Sequence, residues 1–432
     1  MKIRNRVILA ASILLVVLGL SELLCAKQST SVAATEAQPS VSKQPGDEGV
    51  NAKLVTANTR LSFKLFRELL KKQPNENIFI SPASVAIALD MVYNGASGET
   101  QQAIAQTLEL QGMSLQEINQ ANAALKVTLS NPDPEVQISI ANSLWAGEAE
   151  PFKPEFIEKI QHFYSAEVKN LNFGAPGASN IINDWVKENT NGKIDKIVDE
   201  ISSGTVFVLL NAIYFKGTWK YEFPPEATKQ QPFTLLNGTQ KPHPMMFRQV
   251  SNLQYYQNEM FQAISLPYGK DGKDGKGRLS MYIFLPFKEV SLKTFYESLN
   301  AENWQKWLNQ FDSPDKSGDH TGEILIGLPR FKLEYSIELN DALKALGMEI
   351  AFQEGADFSA MTPSRLRIDL VKHKTFVEVN EEGTEAAAVT GVSMTRGIPD
   401  EMIVDRPFFL VIRDNQTGTI LFMGSIVEPE EK

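Results

Sequence analysis

A mixed fold of the α+β class, with much of its sheet antiparallel, is what this 432-residue chain predicts. Three observations carry that expectation. Helical periodicity opens the foldable part, and runs of β-branched and aromatic residues bounded by Gly, Pro or charged turns fill most of the second half. The chain is also 43% hydrophobic, with 24 Phe against 27 Gly and 22 Pro, which is apolar surface enough to bury both kinds of element on a large core.

Taken in order, residues 1–25 read as an export signal. The basic start with Lys2, Arg4 and Arg6 precedes VILAASILLVVLGL from Val7 to Leu20, which is too short to span a bilayer comfortably and is closed by Glu22. Cys25, the single cysteine, leaves two outcomes: cleavage near it and secretion of a soluble protein, or a lipoprotein signal whose lipidated Cys25 anchors the chain to a membrane. Leu24 stands where the lipoprotein pattern wants a small residue, which favours secretion. Residues 26–54 are rich in Ser, Ala, Gln, Thr and Pro, show no periodicity that would bury a face, and read as a flexible linker. No later stretch resembles it and no repeat appears, so residues 55–432 are expected as one domain.

The domain opens with a helix from about Thr56, whose Leu61, Leu65, Phe66 and Leu69 recur at helical spacing and whose end is set by Pro74 with Asn75 and Asn77. Apolar runs at 136–145 (VQISIANSLW) and 206–215 (VFVLLNAIYF) interrupt the helical first half. QAISLPY, RLSMYIFLP, EILIGLPRFKLEYS, LVKHKTFVEVNEEG, FFLVIR and ILFMGSIVEP then follow as strands. GKDGKDGKGR, from Gly269 to Arg278, joins two of these; without a strand-to-helix setting it reads as a solvated hairpin loop and not as a phosphate cradle.

Composition excludes several functions. The formal charge of −10 gives no general attraction to nucleic acid or anionic lipid. One cysteine rules out a disulfide framework, a thiolate zinc site and a CxxC redox pair. Gly95-Ala96-Ser97-Gly98 lacks the spacing of a nucleophile elbow, and Ser313-Pro314-Asp315-Lys316 matches SxxK but lies in a Gly, Asp and Ser-rich loop without the SDN and KTG partners. His162, His243, His320 and His373 are scattered with no HExxH, and neither a phosphate loop nor a dinucleotide fingerprint is present. The inventory argues against an enzyme, and neither a metal nor a cofactor is called for.

The informative stretch runs from Lys372 to Pro407. A strand alternating Thr375, Val377, Val379 against Phe376, Glu378, Asn380 leads, with no turn expected, into Glu381-Glu382-Gly383-Thr384-Glu385 and then Ala386-Ala387-Ala388-Val389-Thr390. Small residues here fit a mobile surface loop, or a segment able to squeeze between two existing strands. Every second residue from Thr384 through Ala386, Ala388, Thr390, Val392 and Met394 is uncharged, so one face can be buried while Glu385 stays in water.

At this point the sequence resembles the serpin family, over essentially the whole chain from about Thr56 to Pro429. The resemblance rests on NIFISPASVAIALDMVYNGASGETQQAI, LLNAIYFKGTWKYEF, LPRFKLEYSIELNDALKALGM, the hinge EEGTEAAAVT and DRPFFLVIRDNQTGTILFMGSIVEP, five motifs in the family's order. It implies three β-sheets, about nine helices and an exposed reactive-centre loop that serves as bait for a serine protease. After cleavage and acyl-enzyme formation the loop inserts as a new strand of the main sheet and distorts the protease. The absence of large or charged residues at Thr384, Ala386 and Ala388 marks the inhibitory type over the alternative, a non-inhibitory member acting as substrate, carrier or chaperone. By the resemblance, Ser81, Ser84, Asn211 and His373 fall on the shutter positions, Trp219 at the breach where the loop first inserts, and Arg330 with Glu381 on a strand-top ion pair.

Two counts place the scissile bond differently. Counting from the hinge puts it after Gly397; counting back from Arg406-Pro407 puts it after Arg396, whose guanidinium suits a trypsin-like specificity pocket. Met394 and Thr395 serve chymotrypsin-like or elastase-like enzymes if the register shifts. The expected partner is therefore a trypsin-like serine protease held in a covalent complex by a monomeric inhibitor. Between Gln111 and Leu129 Lys126 is the only cation, too little for a glycosaminoglycan site.

Overall fold

Helix α1 (Ala52–Lys72) starts where Asn51 Oδ1 accepts the Lys53 backbone N–H at 2.9 Å, an N-cap interaction of the kind worth about 1 kcal/mol. Leu54, fully buried, already belongs to its apolar face with Leu61, Leu65, Phe66 and Leu69. The helix thus begins before Thr56, and the linker expected to run to residue 54 gives way to folded structure by Ala52. The computed structural model describes residues 50–130, 132–251, 253–269, 277–311, 323–383 and 400–430. The chain divides into Met1–Lys43, which lies outside the described residues together with the expected signal and Cys25, and Gln44–Lys432, which carries the fold.

Three sheets organise the described residues. The five-stranded sheet has the order β11 (Phe331–Glu338), β12 (Leu370–Val379), β4 (Phe207–Gly217), β2 (Val136–Gly147), β3 (Glu167–Leu171). Its central pair, β4 and β12, is parallel, whereas β11 and β2 run antiparallel to their central neighbours. The six-stranded sheet has the order β1 (Ile78–Ile80), β15 (Ile420–Ile426), β14 (Phe408–Asp414), β9 (Leu279–Pro286), β8 (Phe261–Tyr268), β7 (Gln254–Gln257). The four-stranded sheet has β13 (Asp400–Ile403), β10 (Glu323–Pro329), β6 (Gln240–Ser251), β5 (Lys229–Thr234). With nine helices among the described residues this is the α+β arrangement of three sheets that the resemblance implies.

Alternation sorts the central sheet's two faces. Leu144, Leu209, Ile213, Phe215, Val371 and Val377 point into the main core, where α2 (Pro82–Gly95) packs. Trp145, Leu210, Ala212, Tyr214 and Phe376 point the other way, under Ile182 and Val186 of α6 (Ala178–Asn189). Helices α3 (Gly98–Thr107), α4 (Leu115–Ser130) and α5 (Pro154–Tyr164) surround α2. The second half holds more helix than its strand-rich reading implies. α7 (Leu292–Ser298), α8 (Ala301–Phe311) and α9 (Asn340–Leu343) bring the described residues to nine α-helices, and β5, β6 and β7 are strands the sequence reading passed over.

Candidate functional site

The seam between β4 and β12 is where the site residues meet. Ladder pairs run in parallel register from Leu370↔Val208 to Phe376↔Tyr214, and His373 lies directly opposite Asn211. The imidazole is fully buried. Its Nε2 accepts the Ser81 backbone N–H at 3.0 Å, so Nδ1 carries the proton and donates to Asn211 Oδ1 at 2.5 Å. Asn211 Nδ2 donates to Ser84 Oγ at 2.5 Å and to Asn142 Oδ1, which joins β4 to β2, while Ser81 Oγ caps α2 by accepting the Ser84 N–H. Ser81, Ser84, Asn211 and His373 therefore form one network. Burial pushes the His373 imidazole down to about 3, against the pull of its bond to Asn211, because a second ring proton would face the Ser81 N–H.

Two members escaped the sequence reading. Asn142 is a polar residue inside an apolar strand, a signal that was present in VQISIANSLW. Thr375 Oγ1 donates to the Phe79 carbonyl at 2.6 Å from a buried position that alternation alone reads as an ordinary core residue.

Above Phe376 the seam changes. Val377 to Val379 pair with β11 but, among the described residues, not with β4, whose Phe215 to Gly217 pair only with β2. The strand then turns, contrary to expectation. Asn380 and Gly383 exchange backbone hydrogen bonds at 3.0 and 3.2 Å, and Asn380 Oδ1 accepts the Glu382 N–H, so residues 380–383 form a tight turn. Gly383 has φ +114°, and a Cβ there would stand 2.4 Å from both Gly217 O and Trp219 N; glycine is required by conformation and by contact.

Trp219 and Glu381 fasten this turn. The buried Trp219 stacks on Tyr268, donates from Nε1 to Asn380 O at 3.0 Å and from its backbone to Glu382 O at 3.0 Å. Glu381, only 6% exposed, accepts from Thr228 Oγ1 at 2.6 Å and from Arg330, whose guanidinium is partly exposed. Burial pushes the Glu381 carboxyl up, but the bonds from Arg330 and Thr228 outweigh it and hold the group below its ordinary value. Arg330 stands between β10 and β11, with its N–H bonded to Pro244 O and its carbonyl to His243 of β6. The ion pair expected at a strand top is thus half buried.

Thr384, Glu385, Ala386, Ala387, Ala388, Val389 and Thr390 of the hinge, and Arg396 and Gly397 of the expected scissile bond, lie outside the described residues, which resume at Asp400. There β13 pairs in parallel with β10, Asp400 opposite Ile324. The described residues on either side of 384–399 thus belong to the turn after β12 of the central sheet, up to Gly383, and to the four-stranded sheet, from Asp400. Among the described residues no group of three or more His, Cys, Asp or Glu is placed to hold a metal, and no helix is long and apolar enough to cross a membrane.

A parallel strand pair is thus tied by a buried polar network below and closed by a glycine turn above. A family profile described as serpin (serine protease inhibitor) matches residues 56–429, and the chain belongs to that family. It is 38% identical over 389 residues to the leukocyte elastase inhibitor of Bos taurus, covering 87% of this chain and 99% of that one. Among solved structures it is similar to the thermophilic serpin tengpin in the native state, with a TM-score of 0.78, 30% identity and coverage of 88% and 95%. It is likewise similar to human thyroxine-binding globulin complexed with thyroxine, with a TM-score of 0.78, 27% identity and coverage of 88% and 99%. The family is one of serine protease inhibitors, not of enzymes, and relatives such as the leukocyte elastase inhibitor are named for inhibition.

Proposed function

We propose that this protein inhibits a trypsin-like serine protease as a suicide substrate, with segment 384–399 as bait and the bond after Arg396 as the one cut. The observation that carries the reading is the seam: β4 and β12 are parallel, their ladder stops at Phe376, and the 380–383 turn bonds across to Thr218 and Trp219 at the end of β4. A strand entering there would be antiparallel to both neighbours and could pair with each, gaining roughly 0.5 to 1.5 kcal/mol per hydrogen bond. The uncharged set Thr384, Ala386 and Ala388 suits the buried face. The resemblance to a leukocyte elastase inhibitor supports inhibition as such, while Arg396 is the reason for a trypsin-like target.

The basic start and apolar run of residues 1–20 support export to an extracytoplasmic site, either as a secreted protein or tethered through Cys25. The second reading, a non-inhibitory member acting as a substrate or carrier, draws on the likeness to thyroxine-binding globulin. Incubation with trypsin-like, chymotrypsin-like and elastase-like proteases separates the two. An inhibitor gives a complex that survives denaturing gels, with the cut read by mass spectrometry after Arg396. Stoichiometric cleavage without complex indicates the second reading, and complexes cut after Gly397, Thr395 or Met394 move the bait. Arg396→Ala should reduce the rate of trapping trypsin-like enzymes by roughly thirty-fold or more, since the pocket carboxylate loses its charge partner.

A further inference from the structure

Away from the seam, α2 is joined to α4 and α5 by a buried run of polar side chains. Asn94 and Asn119 exchange hydrogen bonds at 2.8 and 2.9 Å, and the Tyr164 hydroxyl donates to Asn119 Oδ1 at 2.7 Å. One turn earlier on α2 stands Asp90, 1% exposed, whose Oδ2 accepts Asn122 Nδ2 at 2.7 Å. The other oxygens of that pair, Asp90 Oδ1 and Asn122 Oδ1, are both buried acceptors with no hydrogen-bond partner. Two buried acceptors without a donor are what an ionised carboxylate and an amide leave over. A neutral carboxylic acid would instead donate its O–H to the amide carbonyl, closing an acid–amide ring beside the existing N–H···O bond.

No cation compensates a charge here. Around Asp90, α2 offers Tyr93 and Asn94, α4 offers Asn119, Asn122 and Lys126, and α5 offers Tyr164. Lys126 is turned to the Tyr164 carbonyl at 2.8 Å, and nothing on α1, α3, β2, β4 or β15 supplies an ion pair to the carboxyl among the described residues. We propose that Asp90 is a proton-operated fastener: neutral, it can donate its O–H to Asn122 and bind α4 to α2; ionised, it leaves two buried acceptors without a donor and loosens α4. Burial pushes the carboxyl up to about 7, with the Asn122 bond pulling the other way, which places the change in the neutral range. Tyr93 and Tyr164 are themselves pushed up by burial and by the Asp90 charge, so neither titrates in that window.

The sign follows from linkage. With the folded value raised above the unfolded 3.8, the native state holds the proton more tightly; the contribution is complete below about pH 4, falls as pH rises to about 7, and is constant above. The inference is independent of protease inhibition. Its test is chemical unfolding of wild type and Asp90→Asn from pH 4 to 8.5, since an amide at position 90 keeps a donor and an acceptor at every pH. The unfolding constant of wild type relative to Asp90→Asn should rise by roughly two to three orders of magnitude between pH 4 and 7 and then level off. Amide exchange over residues 115–130 should be faster in wild type than in the variant at pH 8 and equal at pH 5. A ratio that stays constant with pH overturns the proposal. Should Asp90→Asn not fold, wild type labelled with carbon-13 at its aspartate carboxyls decides: a resonance titrating near pH 7 supports the fastener, and titration of every aspartate below pH 5 overturns it.

Discussion

The lower and upper reaches of the β4–β12 seam are one strand pair held in two physically different ways. Below, from Leu370 to Phe376, a continuous ladder is backed by a network in which His373, Asn211 and Ser81 are almost wholly buried. Opening it strands donors and acceptors away from water. Above, there is no ladder between the two strands; Trp219, Glu381 and Gly383 close the gap through a handful of bonds, and the Arg330 side chain is 40% exposed, so water can replace its share. The difference teaches where separation should start: at the turn, moving down, with the histidine network as the last part to yield.

The strongest test of that order is a cut. Nicking within residues 391–397 by an unrelated protease frees the bait without touching either reach. If a strand then enters, the gain should be on the order of 10 kcal/mol, seen as a large upward shift of the urea or thermal midpoint. An unchanged midpoint would mean that the seam does not accept the strand. Next in size, His373→Leu takes the imidazole partner from the Ser81 N–H and from Asn211 Oδ1 and should cost roughly 2 to 4 kcal/mol in urea unfolding.

The same residue gives a pH signature. Because the folded imidazole sits at about 3, below its unfolded 6.5, its stabilisation is complete above pH 6.5 and is lost as pH falls toward 3; the stability difference between wild type and the leucine variant, in which the Asp90 contribution cancels, should shrink across that window if the lower reach is the acid-sensitive one. Gly383→Ala should cost about 2 kcal/mol, through an unfavourable φ and a Cβ pressed on two backbone atoms. Amide exchange faster at the turn with the 370–376 ladder still protected would show the two reaches to be separable. Smallest, Trp219→Phe removes one hydrogen bond and should cost about 1 kcal/mol.

Much of this was legible from the residues. Fold class and the principal strands of the second half follow from composition and apolar runs, while Ser81, Ser84, Asn211 and His373 are picked out only through the family resemblance. The turn at 380–383 was not, because alternation through Asn380 continues smoothly and nothing local announces that Gly383 meets Gly217 and Trp219 across the sheet. Helix α8 carries its signal openly, with Trp304, Trp307, Leu308 and Phe311 at helical spacing, and was lost to the surrounding strand-rich composition. β5 and β6 are polar strands with prolines, which propensity demotes and only pairing rescues. Glu381 reads from sequence as half of a surface ion pair; its burial depends on Thr228 and Phe223, neither of them near it in the chain.

The last strands of the polypeptide are among the most central of the molecule. β14 lies between β9 and β15, β15 lies between β14 and β1, and Phe408, Phe409, Leu410, Val411 and Phe422 are without solvent contact. A chain severed in the 391–397 region would thus consist of two self-complementing pieces, the shorter one threaded through the core of the longer. Such a particle would keep its mass and elution volume in native buffer and come apart only in denaturant, so the severed and intact forms would pass every native sizing column as a single species.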